Sequence, residues 1–176
     1  MDIKRTEVIA SASNEADATE VYTATVKALA EAKVTVATAE SCTGGLMGKL
    51  LTDVPGASAV FSGGMITYTN NIKINKLGVS EETIAKHTEV SFECAAEMAI
   101  RAREYFDSDI GISATGYAGP TGGTDKDPVG TVYLGIATSD FVQVKRLSFN
   151  SADRDQIRYG TAQIAAESLF CTIKTT

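Results

Sequence analysis

Residues 34–39, VTVATA, form a short, uncharged run of apolar and β-branched residues that passes directly into ESCTGG and then into the apolar positions of 46–51. A run of this length without polar alternation suits a strand buried on both faces, and such strands occur in sheets covered by helices on both sides. Helical periodicity flanks it. Upstream, Ala18, Val21, Tyr22, Val26 and Leu29 recur at helical spacing within 14–33 and predict an amphipathic helix. Downstream, 46–51 reads as a helix stopped at the turn signature Asp53-Val54-Pro55-Gly56.

The rest of the chain extends the same alternation. Residues 57–68 predict a second strand, bent or bulged at Gly63-Gly64, and 70–76 a short helix closed by Gly78. Ser80 and Ser91 are placed to cap two further helices, the second with a stripe of Phe92, Ala95, Ala96, Ala99, Arg103 and Phe106. Residues 110–114 predict a strand that ends in TGYAGPTGGTDKDPVG, a long irregular segment of the kind that often carries function. Within it, 125–127 reads as a solvated turn. Alternation at Val132, Leu134 and Ile136, with 141–149 beyond Ser139-Asp140, predicts a hairpin, and 153–174 closes the chain as a helix with Ile157, Ile164, Ala165 and Leu169 inward. The expected architecture is a three-layer α/β/α single domain over 1–176, built on a mixed central sheet, with 1–13 a flexible or loosely packed segment.

At 176 residues the chain has room for one full core and not for two ordinary domains, so one site is expected. A net charge of −6 argues against gripping nucleic acid through a broad basic surface. No stretch approaches the roughly 20 apolar residues that span a bilayer, and the first residues lack a signal-peptide core, which makes the cytoplasm the default expectation. Cys42, Cys94 and Cys171 are odd in number and widely spaced, which predicts reduced thiols. With His87 the only histidine and no HExxH pattern, no metal site is expected.

The segment 38–50, TAESCTGGLMGKL, carries none of the common phosphate-loop or serine-nucleophile motifs intact. Thr43 and Leu50 stand where a phosphate loop needs glycine and hydroxyl, and Lys49 reads as a solvated helix residue. A nucleophile elbow needs glycines where Ala39 and Thr43 stand, and SxxK fails at Gly44. The position itself still suits a nucleophile, because a serine between a buried strand and a helix faces the crevice at the strand's carboxyl end. Peptide N–H groups around Thr43 to Gly45 would then stabilise an anion. The competing reading is a plain helix cap at Ser41 or Thr43 with a tight glycine turn. A serine needs a base, and Tyr68 and Lys73 follow the second strand. On one regular helix they would diverge by about 140°, so a shared site requires Tyr68 at the strand end and Lys73 just inside the helix. A desolvated lysine can serve as general base, while ordinary solvation of Lys73 and a core position for Tyr68 is the alternative. Cys42 as nucleophile would need a nearby base, and it is expected to point away from Ser41.

Four segments together carry a resemblance: AESCTGG at 39–45, GG(x)3YTN(x)2K at 63–73 with LGV at 77–79, TGYAGPTGG at 115–123 with PVGTVY at 128–133, and DRDQIR at 153–158. In this order the chain resembles the CinA C-terminal domain family, the competence/damage-inducible proteins that include nicotinamide-nucleotide amidase, over about residues 16–172. The resemblance implies hydrolysis of the carboxamide of nicotinamide mononucleotide to nicotinic acid mononucleotide and ammonia, in pyridine nucleotide salvage. It implies Ser41 as nucleophile assisted by Tyr68 and Lys73, no metal or cofactor, and a homodimer. For the nucleotide, Thr43, Gly44 and Gly45 with Thr115, Gly116 and Gly119 are candidate donors, joined by Arg154 or Arg158, whose alternative is a surface or interface ion pair. Two departures stand out: Tyr117 replaces a small aliphatic residue, and SFECAAEM at 91–98 carries an aromatic and a cysteine. The family also contains paralogues without amidase activity, so a non-catalytic nucleotide-binding or regulatory module is the alternative function.

Overall fold

The computed structural model describes residues 2–175. A six-stranded sheet runs in the order β1-β6-β5-β4-β2-β3, where β1 is Ile3–Ala10, β2 Val36–Glu40, β3 Phe61–Ile66, β4 Ile110–Gly116, β5 Thr131–Ala137 and β6 Val142–Phe149. The β1–β6, β2–β3 and β2–β4 pairs are parallel, and β4–β5 and β5–β6 are antiparallel. The sheet is therefore mixed, as the alternation of elements predicts. Helices α1 (Glu15–Ala32), α2 (Leu46–Thr52) and α6 (Arg154–Thr175) pack together on one face. The other face carries α5 (Phe92–Tyr105), with α4 (Glu81–His87) against it. The short α3 (Asn70–Ile72) continues directly into a wider π turn over Lys73–Leu77.

The uncharged run at 34–39 delivers an interior strand, between β4 and β3: every residue of β2 is buried. Its side chains divide between the two layers, Val36 packing with Tyr22, Leu29 and Met47, and Ala37 and Ala39 with Leu77, Met98 and Ala102. Helix α5 lies close on the sheet because Gly111 and Gly135 face it. A Cβ at Gly135 would come within 2.5 Å of the Ala95 carbonyl, and one at Gly111 would collide with Ala99 and Arg103. The expected bulge is present where β2 pairs with β3: the register skips Ser62 between Phe61 and Gly63. Gly63 adopts φ 151°, and Phe106 covers it.

Two parts of the sequence reading change. Residues 3–10 form β1, an edge strand pairing with β6 over its whole length, where a loosely packed segment was expected. Most of its side chains are exposed, and this is why hydrophobic patterning did not disclose it. Residues 125–127 are not simply a solvated turn. Asp127 is buried and accepts hydrogen bonds from Tyr133 Oη (2.9 Å) and Arg146 Nε (3.0 Å), tying the glycine-rich loop to the β5–β6 hairpin. Among the described residues, no helix is long and apolar enough to cross a membrane.

Candidate active site

Ser41 follows the last residue of β2, and its N–H donates to Ala114 O at 2.9 Å, extending the β2–β4 pairing by one step. Thr67 does the same on the other side, its N–H donating to Glu40 O at 2.7 Å. The two residues are thus fixed side by side at the carboxyl ends of parallel strands, where α/β sheets present ligand crevices. Thr69 then caps α3, its side chain accepting from Ile72 N. This short helix turns the chain back so that Lys73 re-enters the strand ends.

Lys73 is 1% exposed. Its Nζ lies 3.1 Å from Ser41 Oγ and donates to the Thr67 carbonyl at 2.7 Å. Burial lowers its pKa below the ordinary lysine value, while charge on Cys94, Glu89 and Cys42 would act in the opposite direction. Burial also pushes both thiols up to about 12. They are neutral at pH 7, and Glu89 is the charge that opposes deprotonation of Lys73. A buried lysine biased toward its neutral form and in contact with a serine hydroxyl has the geometry of a general base and its nucleophile. Cys42 borders the cavity but packs with Leu46, Met47 and Leu50 in the core of the α1–α2–α6 layer, in line with the expectation that it turns away from Ser41, and its raised pKa leaves no thiolate for attack.

The turn after Ser41 is held by a group that the sequence reading missed. The Glu40 carboxylate, 2% exposed, accepts from the N–H groups of Gly45 (3.0 Å), Met47 (3.0 Å) and Gly48 (2.8 Å). These are the otherwise unpaired donors at the start of α2. Gly44 N–H is also engaged, donating to Ser41 O at 3.1 Å. Gly44 and Gly45 therefore serve the turn, and neither their N–H groups nor the side chain of Thr43 lines the cavity. Thr43 is buried, and its Oγ1 has no hydrogen-bond partner. Arg158 grips the Thr43 carbonyl through Nη2 (2.8 Å) and Nε (3.2 Å). It acts on the turn and is absent from the cavity lining.

The cavity has a volume of about 390 Å³. Ser41, Tyr68, Lys73, Thr115, Gly116, Gly119 and Arg154 all line it, so seven of the sequence candidates converge there. Tyr68 stands two residues past β3 and Lys73 immediately past α3, the arrangement that a shared site requires. Tyr68 is 61% exposed and stands at the rim, outside the Ser41–Lys73 contact. Arg154, at the first turn of α6, donates to the Gly119 carbonyl and so ties the glycine-rich loop to the helix. Thr115 Oγ1 donates to Glu89 O at 2.7 Å. Glu89, Asn70 and Thr121 also line the cavity and were not singled out from the sequence. Glu89 lay concealed in a polar stretch just before a helix cap, where an acid has an ordinary solvated reading.

The model of the CinA C-terminal domain matches residues 18–173. The chain belongs to the CinA C-terminal domain family. A CinA-like protein of Thermotoga maritima is 44% identical over 144 residues, covering 82% of this chain and 35% of that protein. A Halothermothrix orenii relative is 51% identical over 149 residues, covering 84% and 36% respectively. This chain thus spans about a third of the length of these curated relatives. Among solved structures, a CinA superfamily protein of Klebsiella pneumoniae superposes with a TM-score of 0.87 at 31% identity, covering 90% of this chain and 99% of that one. The competence/damage inducible protein CihA of Agrobacterium tumefaciens gives 0.85 at 34% identity, covering 90% and 96%. Strand β1 lies ahead of the segment that the CinA domain matches.

Proposed function

We propose that this CinA-type domain is a serine amidohydrolase that cleaves the carboxamide of nicotinamide mononucleotide. The observation that carries the reading is the 3.1 Å contact between Ser41 Oγ and the buried Nζ of Lys73. Neutral Lys73 takes the Ser41 proton as Oγ attacks the amide carbon. It then passes that proton to the departing nitrogen as the C–N bond breaks and ammonia leaves. Water attacks the resulting ester, giving a proton to Lys73, and the C–O bond to Ser41 breaks to release the acid and restore the hydroxyl.

With the contact made directly, this relay has no step through Tyr68, which is assigned instead to enclosing the substrate. Glu40 and Ser41 O occupy the N–H groups of Gly45 and Gly44, so the oxyanion donor is assigned to Cys42 N–H, the peptide group next to the nucleophile. One such donor contributes about 3 kcal/mol in comparable sites. Thr115, Gly116, Gly119 and Arg154 are assigned to the ribose and phosphate, with the Arg154 guanidinium as the charged partner.

The test is ammonia release from nicotinamide mononucleotide by the purified protein beside Ser41→Ala. Release that falls by about 10³-fold or more in the variant supports the reading. Absence of release from folded wild type that still binds the nucleotide would favour a non-catalytic binding role.

A further inference from the structure

Besides the lysine base the cavity lining contains one acidic and one basic side chain, Glu89 and Arg154, and they differ in how they are engaged. Arg154 is held against the Gly119 carbonyl. The half-buried Glu89 makes no hydrogen bond and no ion pair through its carboxylate among the described residues, although it lines the cavity. Its main chain, in contrast, is fixed: Glu89 O accepts from Thr115 Oγ1, and the next residues lead into the Ser91 cap of α5. The preceding residue, Thr88, is a β-branched residue at φ 72°, a conformation that such side chains rarely adopt. Ile84 O holds Thr88 N–H at 2.9 Å, and Ser91 Oγ donates to Thr88 O at 3.0 Å. A rigid, strained turn therefore presents an unpaired carboxylate to the cavity.

Of the two charges, Glu89 is the one whose field reaches Lys73 and Tyr117. A ligand whose amide carbon sits at Ser41 would place the ring attached to that carbon in this negative region. A cationic ring gains from it, and a neutral ring of the same shape does not. An anionic group farther along the ligand finds Arg154. The lining thus complements a dipolar substrate, positive beside the amide and negative at its other end.

We infer that Glu89 is a specificity-determining residue that selects carboxamides borne on a positively charged, N-substituted ring. The inference rests on the amidase reading for its choice of ligand. It assigns to the Glu89 carboxylate a contact with the ring of the substrate and no part in proton transfer.

The test compares nicotinamide mononucleotide with its reduced dihydropyridine form, whose ring is uncharged, by titration calorimetry on Ser41→Ala protein, so that no turnover intervenes. The cationic form should bind about tenfold more tightly than the neutral one, the scale of one partly solvated charge contact. Adding Glu89→Gln should bring the ratio close to one by weakening the cationic form alone, and Glu89→Asp should retain part of the preference. Equal binding of the two forms by Ser41→Ala, no binding of either, or a ratio unaffected by Glu89→Gln overturns the inference. A Glu89→Gln enzyme that loses kcat equally on both ring forms would also overturn it, since that is the signature of a proton-transfer role. Ammonia release by wild type is read alongside. Preference without release would sink the amidase reading and leave charge selection standing, whereas release without preference would do the reverse.

Discussion

The Thr67 carbonyl accepts a 2.7 Å hydrogen bond from Lys73 Nζ and so aims the base at Ser41 from an otherwise enclosed position. Two neutral acceptors, the Thr67 carbonyl and Ser41 Oγ, do not replace the hydration of an ammonium, and burial accordingly favours the neutral amine. Lys73 thus costs stability for the sake of reactivity. Lys73→Met should abolish ammonia release, by about 10³-fold or more, and raise Tm by roughly 3–6 °C. Because the folded-state pKa is lowered, the unfolded chain binds more protons between that value and 10.5. Wild-type stability therefore rises with pH through that window. The stability advantage of the methionine variant should be largest below the folded-state pKa of Lys73 and shrink as pH rises from there toward 10.5; thermal melts across pH check it, and an advantage independent of pH would contradict it.

The same base sets the acid side of the activity profile. Activity should rise with pH as Lys73 loses its proton in the free enzyme. The Glu89 carboxylate stabilises the ammonium and opposes that loss. Glu89→Gln removes the opposition, so the acid limb of kcat/KM should move to lower pH even while substrate affinity falls. A limb that stays in place, or moves upward, would show that Glu89 does not act on Lys73 through its charge.

Glu40 makes a prediction of a different kind. Its buried carboxylate serves three peptide N–H groups at the start of α2. Glu40→Gln keeps the shape but sets an amide NH2 against donors it cannot accept from. The loss should be about 2–3 kcal/mol, or roughly 6–9 °C in Tm. Glu40→Asp, one methylene shorter, should lose less than glutamine only if the charge outweighs the reach. Calorimetric melts of the two variants separate those contributions.

The sequence displayed what depends on local pattern. The uncharged run at 34–39, the glycine bulge and the cap at Ser91 follow from residue types within a few positions, whereas Ser80 stands at the start of α4 without a side-chain cap hydrogen bond; the short α3 explains how Tyr68 and Lys73 meet one cavity. Two kinds of information were not local. Strand β1 exposes most of its residues, so no apolar period marks it; its evidence is the backbone pairing with β6, more than a hundred residues away. The roles of Glu40, Asp127 and Arg158 arise from tertiary satisfaction of buried polar groups. Each has an ordinary surface reading until its partners are known.

Arg158 separates a ligand contact from a positioning role. Its two N–H groups converge on the Thr43 carbonyl, two residues past the nucleophile. Arg158→Ala should release the turn and lower kcat about tenfold with little change in KM, because the hydroxyl and oxyanion donor lose alignment while the cavity lining remains. Arg154→Ala should instead raise KM, since that guanidinium lines the cavity. Steady-state kinetics on the pair decide the assignment, and a rise in KM for Arg158→Ala would make it a substrate contact after all.

Thr43 yields the sharpest contrast between a sequence candidate and its surroundings. Its hydroxyl is buried without a partner, and an unpaired buried oxygen has already lost the hydrogen bonds it made to water. Thr43→Val replaces that oxygen by a methyl group of nearly equal size. If the hydroxyl serves neither substrate nor turn, the variant should keep its kcat and KM and gain about 1 kcal/mol of stability. A hydroxyl that reaches the nucleotide after a small rotation would instead show a higher KM in Thr43→Val and recovery in Thr43→Ser. Measuring both variants by melt and by ammonia release distinguishes an unsatisfied core group from a binding group, because only the second couples the loss of oxygen to substrate concentration.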